Sequence, residues 1–307
     1  MNFDGAEKIA AAILYEGYIL YPYRPTAIKN RQRWNFGTLY PKVYAQAQRP
    51  EEPFRLVAEC LVAADETASL DLRLRFLQLV RQEQTVPPLT DPSLAWDEAV
   101  ERTSEANLRI HELLTSPLSL TVAATPELQI ALTIAAQKLE DGSCKLHLEV
   151  QNASPLTSGA DAKRDEALPA SFVSAHLLLG ITHGEFISLL DPAAPYRASV
   201  AACSNLGVFP VLVGEEPERG MMLCSPIILY DYPKIATESA GDFFDGTEMD
   251  EMLTLRVLTL TDAEKQEMQN GDPRARRILE RTEALTNDAM LKAHGVIRGL
   301  RDIRGSV

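Results

Sequence analysis

The sequence predicts an α+β, β-rich fold, with sandwich-like antiparallel sheets, an N-terminal helix and C-terminal helices. Two observations carry this. In the middle of the chain apolar residues recur with period two. Leu70, Leu72, Leu74 and Phe76 alternate with Asp71, Arg73 and Arg75, and two later runs behave alike. That is the pattern of a sheet with one dry and one wet face. The last fifty residues instead carry helix starts and stops.

Taken in order, Asp4-Gly5-Ala6-Glu7 reads as a capping box that opens a helix with Ile9 and Ile13 on one face. Pro22, Pro25 and Pro41 then exclude a continuous helix or a central strand between them. After the run 70–76, residues 84–93 form a loop. Leu128, Ile130, Leu132 and Ile134 make one strand, and Leu146, Leu148 and Val150 the next. Asp141-Gly142 between them is a hairpin signal. Residues 153–169 are small and charged and are expected to form a flexible loop. Strand signals stand on both sides of it, so a single integrated domain over 1–307 is expected. Further strands are expected at 172–179 and 185–190, with a turn at His183-Gly184, and at 208–213 and 226–230. Thr261-Asp262-Ala263-Glu264 is a second capping box. Asn270-Gly271 stops that helix, and Asp272-Pro273 starts another. Thr286 begins a third, whose Met290, Ala293, His294, Ile297 and Leu300 share one stripe.

Composition narrows the function. A formal net charge of −13 opposes nucleic acid as a general partner, because phosphate is repelled. No apolar run is long enough for a membrane span. Asp4 and Glu7 stand where a secretory leader would be basic, so a cytoplasmic location is expected. Cys60, Cys144, Cys203 and Cys224 are far apart, without the spacing of a zinc knuckle or redox pair, and read as reduced thiols. Phosphate-binding loops, dinucleotide fingerprints, zinc-protease helices and nucleophile elbows are absent from the sequence, which lowers the expectation of an enzyme. No catalytic residue is assigned and no cofactor is expected.

Two charged stretches remain. From Gly17 to Arg49 there is no acid, while Arg24, Lys29, Arg31, Arg33, Lys42 and Arg49 are interleaved with tyrosines, Trp34 and Phe36. Aromatic and cationic residues in this density mark a docking surface more than a solvated face. Tyr23, Arg24, Lys29, Asn30, Arg31, Arg33 and Trp34 are the expected binding residues, aimed at an acidic protein surface or, internally, at the chain's own acidic stretch Asp242–Glu251. The opposite stretch, 237–252, holds Glu238, Asp242, Asp245, Glu248, Asp250 and Glu251. Its spacing is not that of a calcium loop. Asp245-Gly246 reads as a turn, Thr247 as a cap for a short helix with Asp250 as its partner, and Glu248 and Glu251 as docking residues. Weaker metal candidates are Asp242, Asp245, His176 and His183, the two histidines approaching across the expected strand–turn–strand. His147, between Lys145 and Glu149, reads as solvated. Asp231 reads as a turn former at a strand end.

Four segments carry a resemblance: "LYEGYILYPYRPTAIKNRQRWNFG", "SAHLLLGITHGEFISLLDP", "SPIILYDYPKIATESAGDFFDGTEMDEMLTLRVLTLTDAEK" and "LKAHGVIRGLR". Together they resemble an uncharacterised bacterial family whose genes occur with nickel–iron hydrogenase structural and maturation genes. The resemblance runs from about Ile13 to Arg301. The chain departs from the pattern at Cys224, where Ser is expected, and at Ala240, where Pro is expected. The resemblance implies no reaction. It implies a non-enzymatic accessory protein for hydrogenase assembly or maturation that binds a hydrogenase subunit or a maturation factor. The alternatives are a metal-dependent enzyme of unrecognised type that uses the acidic 242–251 loop with Asp231, and a structural subunit of the hydrogenase complex.

Overall fold

The computed structural model describes residues 3–15, 23, 37–81, 97–234, 250–270 and 273–284. The chain groups into two compact units. One holds Met1–Tyr15, Trp34–Gln84 and Asp97–Lys234; the other holds Glu16–Arg33, Thr85–Trp96 and Ile235–Val307.

The first unit is built on β1 (Arg55–Arg81), a strand of 27 residues. Its first half pairs with β5 (Cys144–Asn152) and its second half with β2 (Asp97–Arg109). β6 (Val173–Ile187) pairs with β1 between Leu61 and Leu77. β3 (Leu118–Ala123) and β4 (Gln129–Lys138) extend the sheet beyond β5, while β8 (Met221–Ser225) and β7 (Phe209–Leu212) extend it beyond β6. Every pairing is antiparallel, and the eight strands form one continuous sheet. The β-rich α+β class read from the sequence holds. The pairing does not establish two stacked sheets, because all eight strands belong to one hydrogen-bonded sheet.

The period-two pattern fixes the dry face. On β1, Leu56, Ala58, Cys60, Val62, Leu70, Leu72, Leu74 and Phe76 are buried in one core with Ile130, Ile134, Leu146, Leu148, Leu177 and Leu179. Phe76 and Phe172 meet with ring centroids 4.5 Å apart. The expected hairpin is present. Gly142 adopts φ 84, and Ser143 donates its backbone N–H to Asp141 at 2.8 Å, closing the turn between β4 and β5. After the short helix α2 (Lys42–Ala45), a second short one, α3 (Ile110–Thr115), links β2 to β3 and buries Ile110 and Leu113 in the same core.

Four expectations change. The Asp4 to Glu7 capping box does not form at α1 (Asp4–Leu14). Phe3 stands at the N-cap with no side-chain cap, and Glu7 is drawn to Arg73 on β1 instead. The helix is held by Phe3, Ala6, Ala10 and Ile13, which pack on Leu178, Val211, Val213 and Leu223. Next, His183-Gly184 is not a hairpin turn, because β6 passes straight through it. His183 takes φ 58 opposite an excursion of β1, where pairing jumps from Ala64 to Ser69 against Gly184 and Thr182. Gly184 is needed there, since a Cβ would stand 3.0 Å from the Ala63 carbonyl oxygen. Third, the strand expected at 226–230 lies earlier, at Met221–Ser225. Last, His147 is not simply solvated, as the site geometry below makes clear. Residues 153–169 contain 3-10 turns at Gly159–Asp161 and Leu168–Ala170 and a helix, α4 (Arg164–Ala167). Ala162, Ala167 and Leu168 are buried there.

In the second unit the expected cap at the start of α7 (Asp262–Asn270) is made. Thr261 N–H donates to the Glu264 carboxylate at 2.9 Å, and Glu264 N–H donates back to Thr261 Oγ1 at 3.3 Å. Pro273 opens α8 (Pro273–Glu283), whose Ala275, Ile278, Leu279 and Thr282 form its buried stripe. Lys265 and Glu283 join the two helices at 3.0 Å. A further helix, α6 (Asp250–Leu258), precedes them. The helix expected from Thr286 lies outside the described residues.

Candidate functional site

Most of the expected docking and metal residues lie outside the described residues: Arg24, Lys29, Asn30, Arg31, Arg33, Trp34, Asp242, Asp245 and Glu248. Glu251 stands in the first turn of α6. Tyr23 is fully buried and takes a left-handed backbone with φ 57. Further along the basic, aromatic stretch, side chains are engaged in packing. Tyr40 and Tyr44 are buried with ring centroids 5.2 Å apart, and Arg49 donates to the carbonyls of Gln46 and Gln48.

His176 and His183 do not come together. Both stand on the uninterrupted β6, seven residues apart, or roughly 20 Å at strand rise. His176 is fully buried, with Nδ1 2.8 Å from the Ser174 carbonyl oxygen, so Nδ1–H donates and Nε2 is unprotonated. Nε2 has no hydrogen-bond partner. Burial, together with the Arg75 cation, pushes its pKa down to about 4, and the Ser174 contact opposes this only in part. This is a neutral core imidazole. Among the described residues no three His, Cys, Asp or Glu side chains are placed to share a metal ion.

A polar cluster forms around Glu59 on β1. Its carboxylate accepts from Ser204 N–H at 2.8 Å, pairs with His147 Nδ1 at 3.0 Å, and faces Lys145 Nζ at 3.4 Å. Glu59 N–H donates to Asn205 Oδ1 at 2.8 Å. Burial alone would raise this carboxyl, but the Ser204, His147 and Lys145 contacts hold it below the usual carboxylate range. Two residues on, Val57 and Leu206 exchange backbone hydrogen bonds at 2.9 Å. Ser199, on α5 (Arg197–Ala201), hydrogen-bonds to Asp141 in the β4–β5 turn. The cluster thus clamps the segment 199–206 to the sheet at three places. Cys203 lies beside it. Burial and the Glu59 charge push its thiol up to about 11, so at neutral pH it is an un-ionised thiol and a poor nucleophile.

Asp231 is also a structural ligand. Its carboxylate accepts from Ser188 Oγ at 2.6 Å and from Leu212 N–H at 2.8 Å. Leu212 is at the end of β7, so Asp231 occupies a backbone donor on the outer side of that strand. The turn-forming role read from the sequence becomes a more specific one, capping the sheet edge.

The chain around Asp231 presents an apolar surface. Ile227 and Leu229 pack inward on the α1 cluster, while Ile228 and Tyr230, alternating with them, are 78% and 86% exposed. Phe209 on β7 and Leu190, two residues beyond Ser188, are also exposed. Isolated exposed apolar residues are ordinary, but here Asp231 ties the stretch with Ile228 and Tyr230 to Ser188 and to β7, the stretches that carry Leu190 and Phe209. The run "PIILY" has the pattern of a buried strand, since apolarity on both faces is the usual sign of one. The signal that separates the cases is Pro226, directly after β8.

A scan of protein-family models gives no match, and a search of curated proteins finds none similar. No described helix is long and apolar enough to cross a membrane.

Proposed function

We propose that this chain is a non-enzymatic accessory protein that binds another protein, and that the partner is a nickel–iron hydrogenase subunit or maturation factor in the cytoplasm. The exposure of Ile228 and Tyr230, beside Phe209 and Leu190, carries the binding half of this reading. Tyr at such a position supplies large contact area at small cost in side-chain freedom. The hydrogenase half rests on the resemblance in the four sequence segments. The cationic stretch of sequence with Arg24, Lys29, Arg31 and Arg33 is a second contact in the same proposal, suited to an acidic partner that the net charge of −13 would otherwise repel.

The test is affinity capture of the tagged, full-length protein from its native host, with quantitative identification of what is retained. Hydrogenase subunits or maturation factors are expected to be enriched with the wild type. Enrichment is expected to fall at least tenfold for Ile228→Asp with Tyr230→Asp, at unchanged circular dichroism. A similar loss is expected for Lys29→Glu with Arg31→Glu and Arg33→Glu. Enrichment that survives both sets of changes overturns the assignment of the surface. A retained set without any hydrogenase component overturns the assignment of the partner.

A further inference from the structure

Three strands have an edge without a strand partner among the described residues, and they differ in how that edge is protected. β7 is short, carries Pro210, and has Leu212 N–H and C=O taken by Asp231 and by Tyr232 N–H. β2 pairs only with β1, and six of its thirteen residues are charged. Proline, charge and covering groups are the usual guards against strand addition. β3, with sequence LSLTVA, has none of them among the described residues. It contains no charge and no proline, and its pairing with β4 is regular over all six residues.

The direction of its free groups follows from the register. Ala124 N–H donates to the Leu128 carbonyl at 2.8 Å, and the pairing continues as Leu118 to Ile134, Leu120 to Leu132 and Val122 to Ile130. In an antiparallel ladder alternate residues bond to one neighbour. Leu118, Leu120 and Val122 therefore bond to β4. Ser119, Thr121 and Ala123 aim N–H and C=O at the open edge, and all three are exposed.

We propose that β3 is a self-pairing edge: two copies of this chain join their β3 strands antiparallel across a two-fold axis through Thr121. An odd number of outward residues makes this register self-complementary. Thr121 faces Thr121 of the second copy, and Ser119 and Ala123 face each other on both sides, each pair exchanging two backbone hydrogen bonds. Leu120 then lies opposite Val122 of the second copy on the dry face. That covers Val122, now 39% exposed, and extends the core that Leu118 and Leu120 already edge. A register shifted by one residue, centred on Leu120, leaves Ala123 facing Pro117, which has no N–H to give. A second copy also suits the charge. An acidic chain approaches itself best through a stretch without any charge of its own. A six-residue strand covers less than the ~800 Å² that each partner contributes to a standard stable complex, so the association is weak and depends on concentration. The proposal does not rest on the hydrogenase reading.

Sedimentation of the full-length protein tests it. At about 100 µM the weight-average mass of the wild type is expected to move clearly toward twice that of one chain, and to return to one chain on dilution to about 1 µM. Thr121→Pro removes the central N–H on the solvent side, where an edge strand tolerates proline. Thr121→Lys sets two like charges opposite each other. Both variants are expected to remain monomeric at every concentration, and Thr121→Lys does so with an unchanged melting temperature. Ile228→Asp with Tyr230→Asp is expected to leave the dimer intact, which separates this surface from the partner-binding one. A wild type that stays monomeric at the high concentration overturns the proposal, and so does a dimer that survives both Thr121 variants.

Discussion

Replacing His176 by Gln should flatten the dependence of stability on pH between 7 and 5. His176 is fully buried, with its pKa pushed down to about 4 by burial and by Arg75. In the unfolded chain it titrates near 6.5. A histidine with a lowered folded pKa favours the neutral form, so its contribution is complete above about 6.5 and is lost as pH falls toward 4. Between pH 7 and pH 5 the unfolded chain binds most of a proton at this residue and the folded chain binds about a tenth of one. Integrated, the wild type loses about 2 kcal/mol from this residue alone. Urea unfolding at the two pH values, for wild type and His176→Gln, measures the difference. The variant is less stable at pH 7, because Gln does not fill the space of the ring. Its loss on going to pH 5 is nevertheless smaller by about 2 kcal/mol. Parallel losses in the two proteins would refute the reasoning and place a proton, or a compensating group, at Nε2.

Glu59→Gln should loosen the clamp on residues 199–206. Amide exchange at Ser204 is expected to accelerate, with a stability loss of about 1–2 kcal/mol as the charged acceptor is removed. Because the Glu59 carboxyl is held low, its contribution is present above the ordinary carboxylate range and disappears as pH falls through the folded value. In thermal unfolding the difference between Glu59→Gln and wild type should then shrink as pH falls below the ordinary carboxylate range. Gly184→Ala should destabilise by roughly 1–3 kcal/mol, since the new methyl meets the Ala63 carbonyl oxygen at 3.0 Å and the β1 backbone must move. Thermal melting checks it, and an unchanged midpoint would mean that the β1 excursion yields freely.

What the sequence made legible was local. The alternation of Leu70 to Phe76, the Asp141-Gly142 turn and the Thr261 to Glu264 cap are each decided by residues within a few positions, and each is present. Asp4 to Glu7 had the same local pattern and failed, because Arg73, far along the chain, offers Glu7 a better partner than the helix end does. His183-Gly184 misled in the same way. Those residues suit a turn, but they equally suit a bulge when the neighbouring strand carries an excursion at the same place. Glu59 lies 88 residues from His147 and 145 from Ser204, so no spacing rule could have joined them. Asp231 shows an intermediate case. Its place at a chain reversal was readable, whereas its contacts with Ser188 and Leu212 required the fold. The apolar surface at Ile228 and Tyr230 was hidden by its own composition, which reads as a core strand until Pro226 is seen to end β8.

The central claim is that the surface containing Ile228 and Tyr230 holds a hydrogenase component. The direct measurement is binding of the purified protein to each purified nickel–iron hydrogenase subunit and maturation factor of its host, by titration calorimetry. One of them is expected to bind with a Kd in the micromolar range or tighter, and the affinity is expected to fall at least tenfold, about 1.4 kcal/mol, for Tyr230→Asp. Equal affinity for wild type and Tyr230→Asp, or no binding to any of these components, would contradict the account.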